Sequence, residues 1–326
     1  MRLVSFRIPT PIGAQTRIGA IDTQNRIVDL DMAYRQVLVA SGATEGTAAR
    51  IGTAILPGDM VAFIEGGPRA LAAAGEALAW ASDHAGEGER DAVSHPFDAV
   101  TLLAPVPRPP LLRDFMAFET HITNIYPKLG RAIPAEWYKQ PVYYKGNPTS
   151  IAGAGATVAI PSYAEELDFE FELAFVIGKG GVNIPRERAM EHVFGFMIYN
   201  DFSARAIQSR EMEVGLGPAK GKDFVSGHVF GPALVTLDEI ADVYNMPMRA
   251  DVNGERWCDA NSGTIHWKFE QMIAHASMDE RIAPGELFGS GTVGGGAGAE
   301  IGRFLHAGDV IELTVEPLGT LRNVIA

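Results

Sequence analysis

The chain has 326 residues, of which 47% are hydrophobic and 21% charged, and its net charge is −13 at pH 7. This length allows one large domain or two, and the composition is typical of an ordinary globular protein. The acidic balance argues against nucleic-acid binding and against attachment to anionic membranes. Because Cys258 is the single cysteine, an intrachain disulfide and a cysteine-based metal cluster are both excluded.

The first ten residues alternate polar and apolar side chains and lack the apolar core of a signal peptide. No stretch approaches the ~20 apolar residues that a membrane span requires. We therefore expect a cytoplasmic protein.

Residues 1–104 are predicted to form a small N-terminal α+β domain. Three strands are expected at residues 3–8, 17–22 and 26–30. Asp31 is expected to cap a helix that continues to about Ser41, and a second helix is expected at Pro68–Ser82. The acidic segment 83–91 is expected to be an exposed loop. The proline-rich segment 104–110 is stiff and extended, which is typical of a connector between domains.

The second domain, residues 105–326, begins with a segment that we interpret as a short helix, residues 113–121. On a helix, Asp114 and His121 would lie two turns apart on one face, whereas Glu119 would point elsewhere. A strand is expected at residues 141–148, and a glycine-rich hairpin at residues 151–161.

The stretch Leu167–Leu173, with the sequence LDFEFEL, is the most informative part of the chain. As a strand it would place Asp168, Glu170 and Glu172 on one face, and Phe169, Phe171 and Leu173 on the other. It is either half-buried with a solvated acidic face, or buried on both faces, as the apolar run 174–177 suggests. Buried carboxylates repel one another unless a cation neutralises them, and Mg²⁺, Mn²⁺ and Ca²⁺ prefer such oxygen ligands. The stretch therefore has two interpretations, a metal site and a half-buried strand with a solvated acidic face.

The remaining pattern indicates strands that are covered by a few helices. A buried strand, residues 195–201, ends in Asp201, and Ser203 is expected to cap a helix at residues 204–213. The other predictions are helices at 185–194 and 267–277, a hairpin at 248–257 around the turn Asn253-Gly254, and strands at 232–236 and 305–316. The fold class expected for this domain is α+β, mainly β.

Several motifs occur in an order that resembles the fumarylacetoacetate hydrolase family. They are Asp114-Phe115 with His121, Pro141-Val142 with Tyr144, the acidic stretch 167–172, Asn200–Gln208, Gly221-Lys222, Gly289–Thr292 and Gly319–Asn323. The resemblance covers roughly residues 105–326. It implies a mixed β-roll catalytic domain that is built around a metal centre.

The resemblance also implies roles for individual residues. It implies a divalent metal, Mg²⁺ or Mn²⁺ with Ca²⁺ as an alternative, and these metal ligands: Asp114, Glu170, Glu172 and Asp201. His121 resembles the general base, Lys222 a group that stabilises negative charge, and either Glu300 or Glu119 the partner of His121. The implied substrate-binding residues are Tyr144, Arg205, Gln208 and Thr292.

The implied activity is hydrolysis of a carbon–carbon bond in a 1,3-diketone or 2,4-dioxo acid, such as an acylpyruvate. A hard metal would chelate two substrate oxygens and stabilise the enolate, while His121 activates water. The alternatives are hydration, isomerisation or decarboxylation of a 2-oxo acid through the same enolate. The resemblance further implies a role in the catabolism of aromatic compounds, a small-molecule acid as the only partner class, and a homodimer.

Overall fold

The computed structural model describes residues 1–85, 88 and 92–326. These residues form two compact units, Met1–Pro107 and Arg108–Ala326. The expected boundary at residue 104 stays a prediction, and the loop expected at 83–91 lies largely outside the described residues. Among the described helices, none has the length and apolar character that crossing a membrane requires.

The first unit combines an antiparallel sheet with helices. Its strands are β1 (Arg2–Ile8), β2 (Gln15–Ile21), β3 (Ile27–Asp29), β4 (Ser94–His95) and β5 (Thr101–Leu102). Its helices are α1 (Leu30–Ala40), α2 (Glu45–Ile55), α3 (Met60–Glu65) and α4 (Gly67–Asp83). The sheet follows the order β4-β3-β2-β1-β5, and all neighbours are antiparallel. The three strands and the helix at 68–82 were predicted, whereas α2 and α3 were not.

The helix α1 begins two residues earlier than its sequence suggests. Asp29 is its N-cap, because the Asp29 side chain accepts a hydrogen bond from the Met32 amide at 3.1 Å. The prediction that Asp31 caps the helix is wrong. Asp31 lies inside the first turn and binds the Arg35 guanidinium one turn later.

The second unit contains most of the strands. They are β6 (Leu112–Phe115), β7 (Tyr143–Gly146), β8 (Ile151–Ala152), β9 (Thr157–Val158), β10 (Leu167–Asp168), β11 (Phe171–Ile177), β12 (Val193–Asp201), β13 (Ser203–Ala204), β14 (His228–Thr236), β15 (Pro247–Val252), β16 (Glu255–Asn261), β17 (Leu287–Gly289), β18 (Val310–Val315) and β19 (Gly319–Ile325). The helices are α5 (Glu119–Ile125), α6 (Arg205–Val214), α7 (Phe269–Ala276) and α8 (Gly298–Ile301).

Two sheets organise this second unit. One follows the order β14-β12-β11-β17-β6-β7, with β8 added in parallel to β14. The other follows the order β16-β15-β18-β19-β9. The short strands β10 and β13 pair with each other. The expected mainly β domain of the α+β class is confirmed.

Four local predictions in this unit are wrong. Residues 113–121 are not one helix, because β6 occupies the first part and α5 begins only at Glu119. The strands β8 and β9 pair with β14 and β19 instead of forming a hairpin with each other. The segment expected to be a helix at 185–194 is a 3₁₀ helix, Arg186–His192. Ser203 lies in β13 and does not cap α6, whose N-cap is Ala204.

The acidic stretch is buried on both faces. It is divided into β10 and β11 by an interruption at residues 169–170. β11 pairs with β12 along one edge and with β17 along the other, and every residue of β11 is buried. Its apolar side chains enter a core in which four rings from different elements make edge or tilted contacts: Phe175, Phe196, Phe269 and Phe288. The interpretation of a solvated acidic face is therefore wrong.

Candidate metal centre

Three buried carboxylates from three strands of the larger sheet meet at one place. Asp114 lies on β6, Glu172 on β11 and Asp201 at the end of β12. One carboxylate oxygen from each lies within 4.8 Å of the other two. The strand β17, which separates β6 from β11, contributes Gly289 at this level. A Cβ atom there would lie 2.4 Å from Asp114 Oδ1, so glycine leaves the space that this carboxylate occupies.

The donor set fits a hard divalent cation. Asp114 Oδ1 and Asp201 Oδ1 are buried and accept no hydrogen bond from any described residue. Burial, followed by the charges of neighbouring acids, raises the pKa values of Asp114 and Glu172 well above their ordinary range. Carboxylates that crowd in this way favour Mg²⁺, Mn²⁺ or Ca²⁺, which bind oxygen ligands.

Glu170 lies beside the trio of Asp114, Glu172 and Asp201 but is not part of it. It lies in the interruption between β10 and β11, where Arg205 Nη1 contacts it at 2.7 Å and Lys222 Nζ at 2.5 Å. Burial acts to raise the pKa of Glu170, but Arg205, Lys222 and, more weakly, His121 bring it below its ordinary value. Its expected role as a metal ligand stays a prediction.

The ammonium group of Lys222 is buried at the centre of the acids. It donates to Glu170 Oε2 and Asp201 Oδ2, both at 2.5 Å, and to Ser203 Oγ at 2.7 Å. An ammonium has three protons, and these three acceptors use them all. Burial disfavours the charged form, yet Asp201 and Glu170 raise the pKa of Lys222 above its ordinary value. Lys222 therefore remains a cation within the cluster.

The histidine of the predicted set is paired with Glu300. His121 Nδ1 lies 2.8 Å from Glu300 Oε1, and Glu300 Oε2 accepts from Asn124 Nδ2 and the Gly295 amide. Glu119 instead accepts from the Tyr138 hydroxyl at 2.7 Å. Of the two partners that the sequence left open, Glu300 is the one in contact.

The backbone around Glu300 is tied to the acidic stretch by Asp168. This fully buried side chain accepts hydrogen bonds from the amides of Gly298 and Ala299, which begin the helix that carries Glu300. It also forms an ion pair with Arg205 at 2.7 Å. One carboxylate thus connects the His121–Glu300 pair to the cation that holds Glu170.

The four predicted substrate-binding residues all contact the cluster or its partners. The Tyr144 hydroxyl donates to Asp201 Oδ2 at 2.8 Å, and the Thr292 hydroxyl to Glu172 Oε1 at 3.4 Å. Arg205 donates to Gln208 Oε1 at 3.0 Å. The structure therefore brings these residues together around the acids, while their contact with a substrate stays a prediction.

Sequence reasoning overlooked several residues of the site. Asp168, Ser203 and His228 have no assigned role in the motifs, although each contacts a predicted site residue. Asp168 had a signal, because it belongs to the acidic stretch. His228 had none, since a lone histidine at the start of a strand has no distinguishing pattern.

A mixed β fold with buried carboxylates from three strands of one sheet, beside a histidine–glutamate pair, defines the class of candidate metal-dependent enzymes. Residues 111–326 match the family model described as "Fumarylacetoacetate (FAA) hydrolase C-terminal". The chain belongs to the fumarylacetoacetate hydrolase family.

Two curated relatives narrow the comparison. The chain is 34% identical over 278 residues to "Oxaloacetate tautomerase fahd2, mitochondrial" of Xenopus laevis, covering 83% of this chain and 79% of the relative. It is 27% identical over 310 residues to "Oxaloacetate tautomerase YisK" of Bacillus subtilis, covering 94% and 95%.

Solved structures share the fold along the whole chain. The maleylpyruvate hydrolase from Sphingobium sp. SYK-6 has a TM-score of 0.70 at 20% identity, covering 100% of this chain and 99% of that one. The 5-carboxymethyl-2-hydroxymuconate delta-isomerase from Mycobacterium smegmatis has a TM-score of 0.66 at 20% identity, with the same coverage. At this identity the likeness establishes the fold alone.

Proposed function

We propose that the chain is a divalent-cation-dependent isomerase that interconverts the enol and keto forms of a 2-oxo dicarboxylic acid of the oxaloacetate kind. The observation that carries this proposal is the buried trio Asp114, Glu172 and Asp201, in which one oxygen each of Asp114 and Asp201 accepts no well-directed hydrogen bond from a described residue. The relatives named oxaloacetate tautomerases support isomerisation over the other reactions that use an enolate.

The trio would hold Mg²⁺ or Mn²⁺, with Ca²⁺ as an alternative and Glu170 as a candidate fourth ligand. When bound, such an ion supplies Lewis acidity that favours the enolate form of a 2-oxo acid. Lys222, already cationic beside the trio, adds positive charge close to the acids. Both features favour a substrate that becomes more negative during the reaction.

His121 is the group that we assign to proton transfer. Its Nδ1 is used by Glu300, which holds the imidazole in one orientation, so Nε2 is the nitrogen that would move the proton. Tautomerisation requires one proton to leave oxygen and another to reach carbon. An oriented imidazole can supply or remove either one.

The direct test measures ketonisation of the enol form of oxaloacetate through the loss of its ultraviolet absorbance. The protein is first stripped of metal with EDTA, and a portion is then reloaded with Mg²⁺ or Mn²⁺. We expect acceleration only in the reloaded protein. Equal acceleration without metal, or none with any 2-oxo dicarboxylate, would overturn the proposal.

Carbon–carbon bond hydrolysis is the second candidate, and the His121–Glu300 contact favours it, because such a pair can also activate water. An acylpyruvate would then release pyruvate and a carboxylic acid. Incorporation of ¹⁸O from solvent into that acid distinguishes hydrolysis from isomerisation. A role in the catabolism of aromatic compounds depends on this second candidate.

A homodimer and a cytoplasmic location complete the proposal. The dimer is tested by analytical ultracentrifugation of the purified chain, and a sedimentation mass of one chain would contradict it. Some relatives carry the word mitochondrial in their names, whereas the Bacillus subtilis relative does not. Fractionation of cells that produce the chain tests its location.

A further inference from the structure

The buried imidazole of His228 lies against the rear of the carboxylate trio. His228 begins β14, where it is paired across the sheet with Asp201 at the end of β12, and its side chain is fully buried. Its Nδ1 lies 3.0 Å from Asp201 Oδ1 and 2.8 Å from the Tyr199 hydroxyl. Its Nε2 lies 3.0 Å from Asp223 Oδ1. The imidazole thus bridges two carboxylates, of which only Asp201 belongs to the trio.

The second carboxylate is itself fixed in place. Asp223 Oδ1 accepts from the Asn147 amide at 2.9 Å, and the Asp223 carbonyl accepts from the Ser150 hydroxyl at 2.9 Å. Tyr199, whose hydroxyl contacts Nδ1 of the imidazole, stacks its ring on Phe230 with the ring centroids 4.2 Å apart. His228 is therefore held by groups that belong to the sheet and its connecting loop.

This arrangement determines what Asp201 can do. Its Oδ2 accepts from Lys222 and Tyr144, so its position is fixed from that side. Its Oδ1 accepts no well-directed hydrogen bond from a described residue, although His228 lies 3.0 Å away. An imidazole held behind Oδ1 orients the carboxylate and leaves that oxygen a lone pair for a ligand.

We propose that His228 is a positioning residue for the cation site, which holds Asp201 through the chain Asp223–His228–Asp201. The inference rests on the proposed function, because it takes Asp201 as a cation ligand. Groups that support a ligand from behind typically contribute 10–100-fold to metal affinity. His228 would therefore control how tightly the trio binds a divalent ion, although no direct contact with that ion is required.

The test is Mn²⁺ binding to the purified full chain, measured by calorimetry and by EPR of the bound ion, for the wild type and H228N. We expect H228N to weaken Mn²⁺ binding by about 10–100-fold and to change the EPR spectrum of the ion that still binds. The matched control is H192N. His192 is also buried, and it contacts the Lys179 carbonyl at 2.6 Å near the opposite end of β12.

A second variant keeps the test decisive if H228N does not fold. D223A changes a residue whose side chain is partly exposed, and it should weaken Mn²⁺ binding in the same direction but by less than H228N. Where H228N does fold, the double variant D223A/H228N should lose little beyond H228N alone, because Asp223 acts through His228. If the two residues had a purely structural role, their losses of Mn²⁺ affinity would instead add up. Each loss would then parallel a fall in the urea concentration at the midpoint of unfolding.

The outcomes separate this inference from the proposed function. If the wild type binds Mn²⁺ and neither H228N nor D223A weakens binding, the role of His228 is overturned while the cation site stands. Equal losses in H228N and H192N also overturn it, since they indicate general loosening. If the wild type binds no Mn²⁺, the cation site falls, and this inference falls with it.

Discussion

Each of the two units buries acidic side chains, and the two clusters solve the problem of buried charge differently. In the first unit, Asp29 caps a helix, and Asp31 is held by Arg35 and by Arg17. In the second unit, the carboxylates of Asp114, Glu172 and Asp201 can carry more negative charge than the described cationic groups around them neutralise. A protonated carboxyl group can still cap a helix, because its carbonyl oxygen still accepts a hydrogen bond. Protonated carboxyl groups in the trio, by contrast, would bind a cation poorly.

The largest expected effect separates proton transfer from cation binding. We expect H121A to lower turnover by about 10²–10⁴-fold, because the oriented imidazole is the proposed proton carrier. Mn²⁺ affinity should stay unchanged, since His121 is not part of the trio. Steady-state kinetics and calorimetry measure the two properties on the same sample. Wild-type turnover in H121A would remove His121 from its assigned role.

The negative charge of Asp29, the capping acid of the first unit, should not be needed for stability at neutral pH. Burial is the main cause that raises the pKa of Asp29 from 3.8 to about 6, which corresponds to ~3 kcal/mol. The stabilisation by its protonated form is complete below about pH 4 and is lost as the pH rises through about 6.

The variant D29N keeps a capping side chain and cannot ionise. It should match the wild type in urea unfolding near pH 4 and exceed its stability near pH 7, with unchanged turnover. A constant difference between the two proteins across this pH range would show that Asp29 does not titrate as stated.

The equivalent change in the trio should also relieve repulsion, but with loss of function. D114N replaces a buried carboxyl group whose ionisation is disfavoured by burial and by neighbouring acids, so we expect the metal-free protein to unfold at a higher temperature than the wild type. Because Asp114 belongs to the trio itself, Mn²⁺ affinity should fall by about 100-fold, at least as much as in H228N, which corresponds to about 2.7 kcal/mol. Differential scanning calorimetry with and without Mn²⁺ measures both effects.

Glu170 supplies the comparison for this variant. If E170Q weakens Mn²⁺ binding as much as D114N does, Glu170 belongs to the ligand set. An unchanged isotherm for E170Q would leave the trio as the complete set of carboxylates. An unchanged isotherm for D114N would remove Asp114 from that set.

The smallest expected effect concerns the paired acid of the first unit. R35Q removes a partly exposed cation from Asp31, and we expect a loss of about 0.3–1 kcal/mol in the free energy of unfolding. Turnover and Mn²⁺ affinity should not change. A loss of Mn²⁺ affinity in R35Q would contradict the separation of the two clusters.

Much of the site was predictable because its residues occur in short ordered motifs. The acidic stretch, Asp201 after a buried strand, and Lys222 were all identified from the sequence, and they do lie together. The local structure around Asp114 was not predicted, since the segment 113–121 has apolar residues at spacings that fit a helix. Pairing of β6 with β17 and β7 overrides that local preference.

The sequence by itself determined which residue types the site contains, the order in which they occur, and the mainly β character of the second unit. Only the tertiary structure decided which of these residues touch. It shows that Glu300 contacts His121 and that Lys222 forms ion pairs with Glu170 and Asp201. It also shows that His228 lies behind the trio. The physical reason is that these contacts join residues far apart in the chain or on different strands. Such contacts depend on which distant strands pair in the sheet, and the pattern within one strand indicates its own two faces but not its partners.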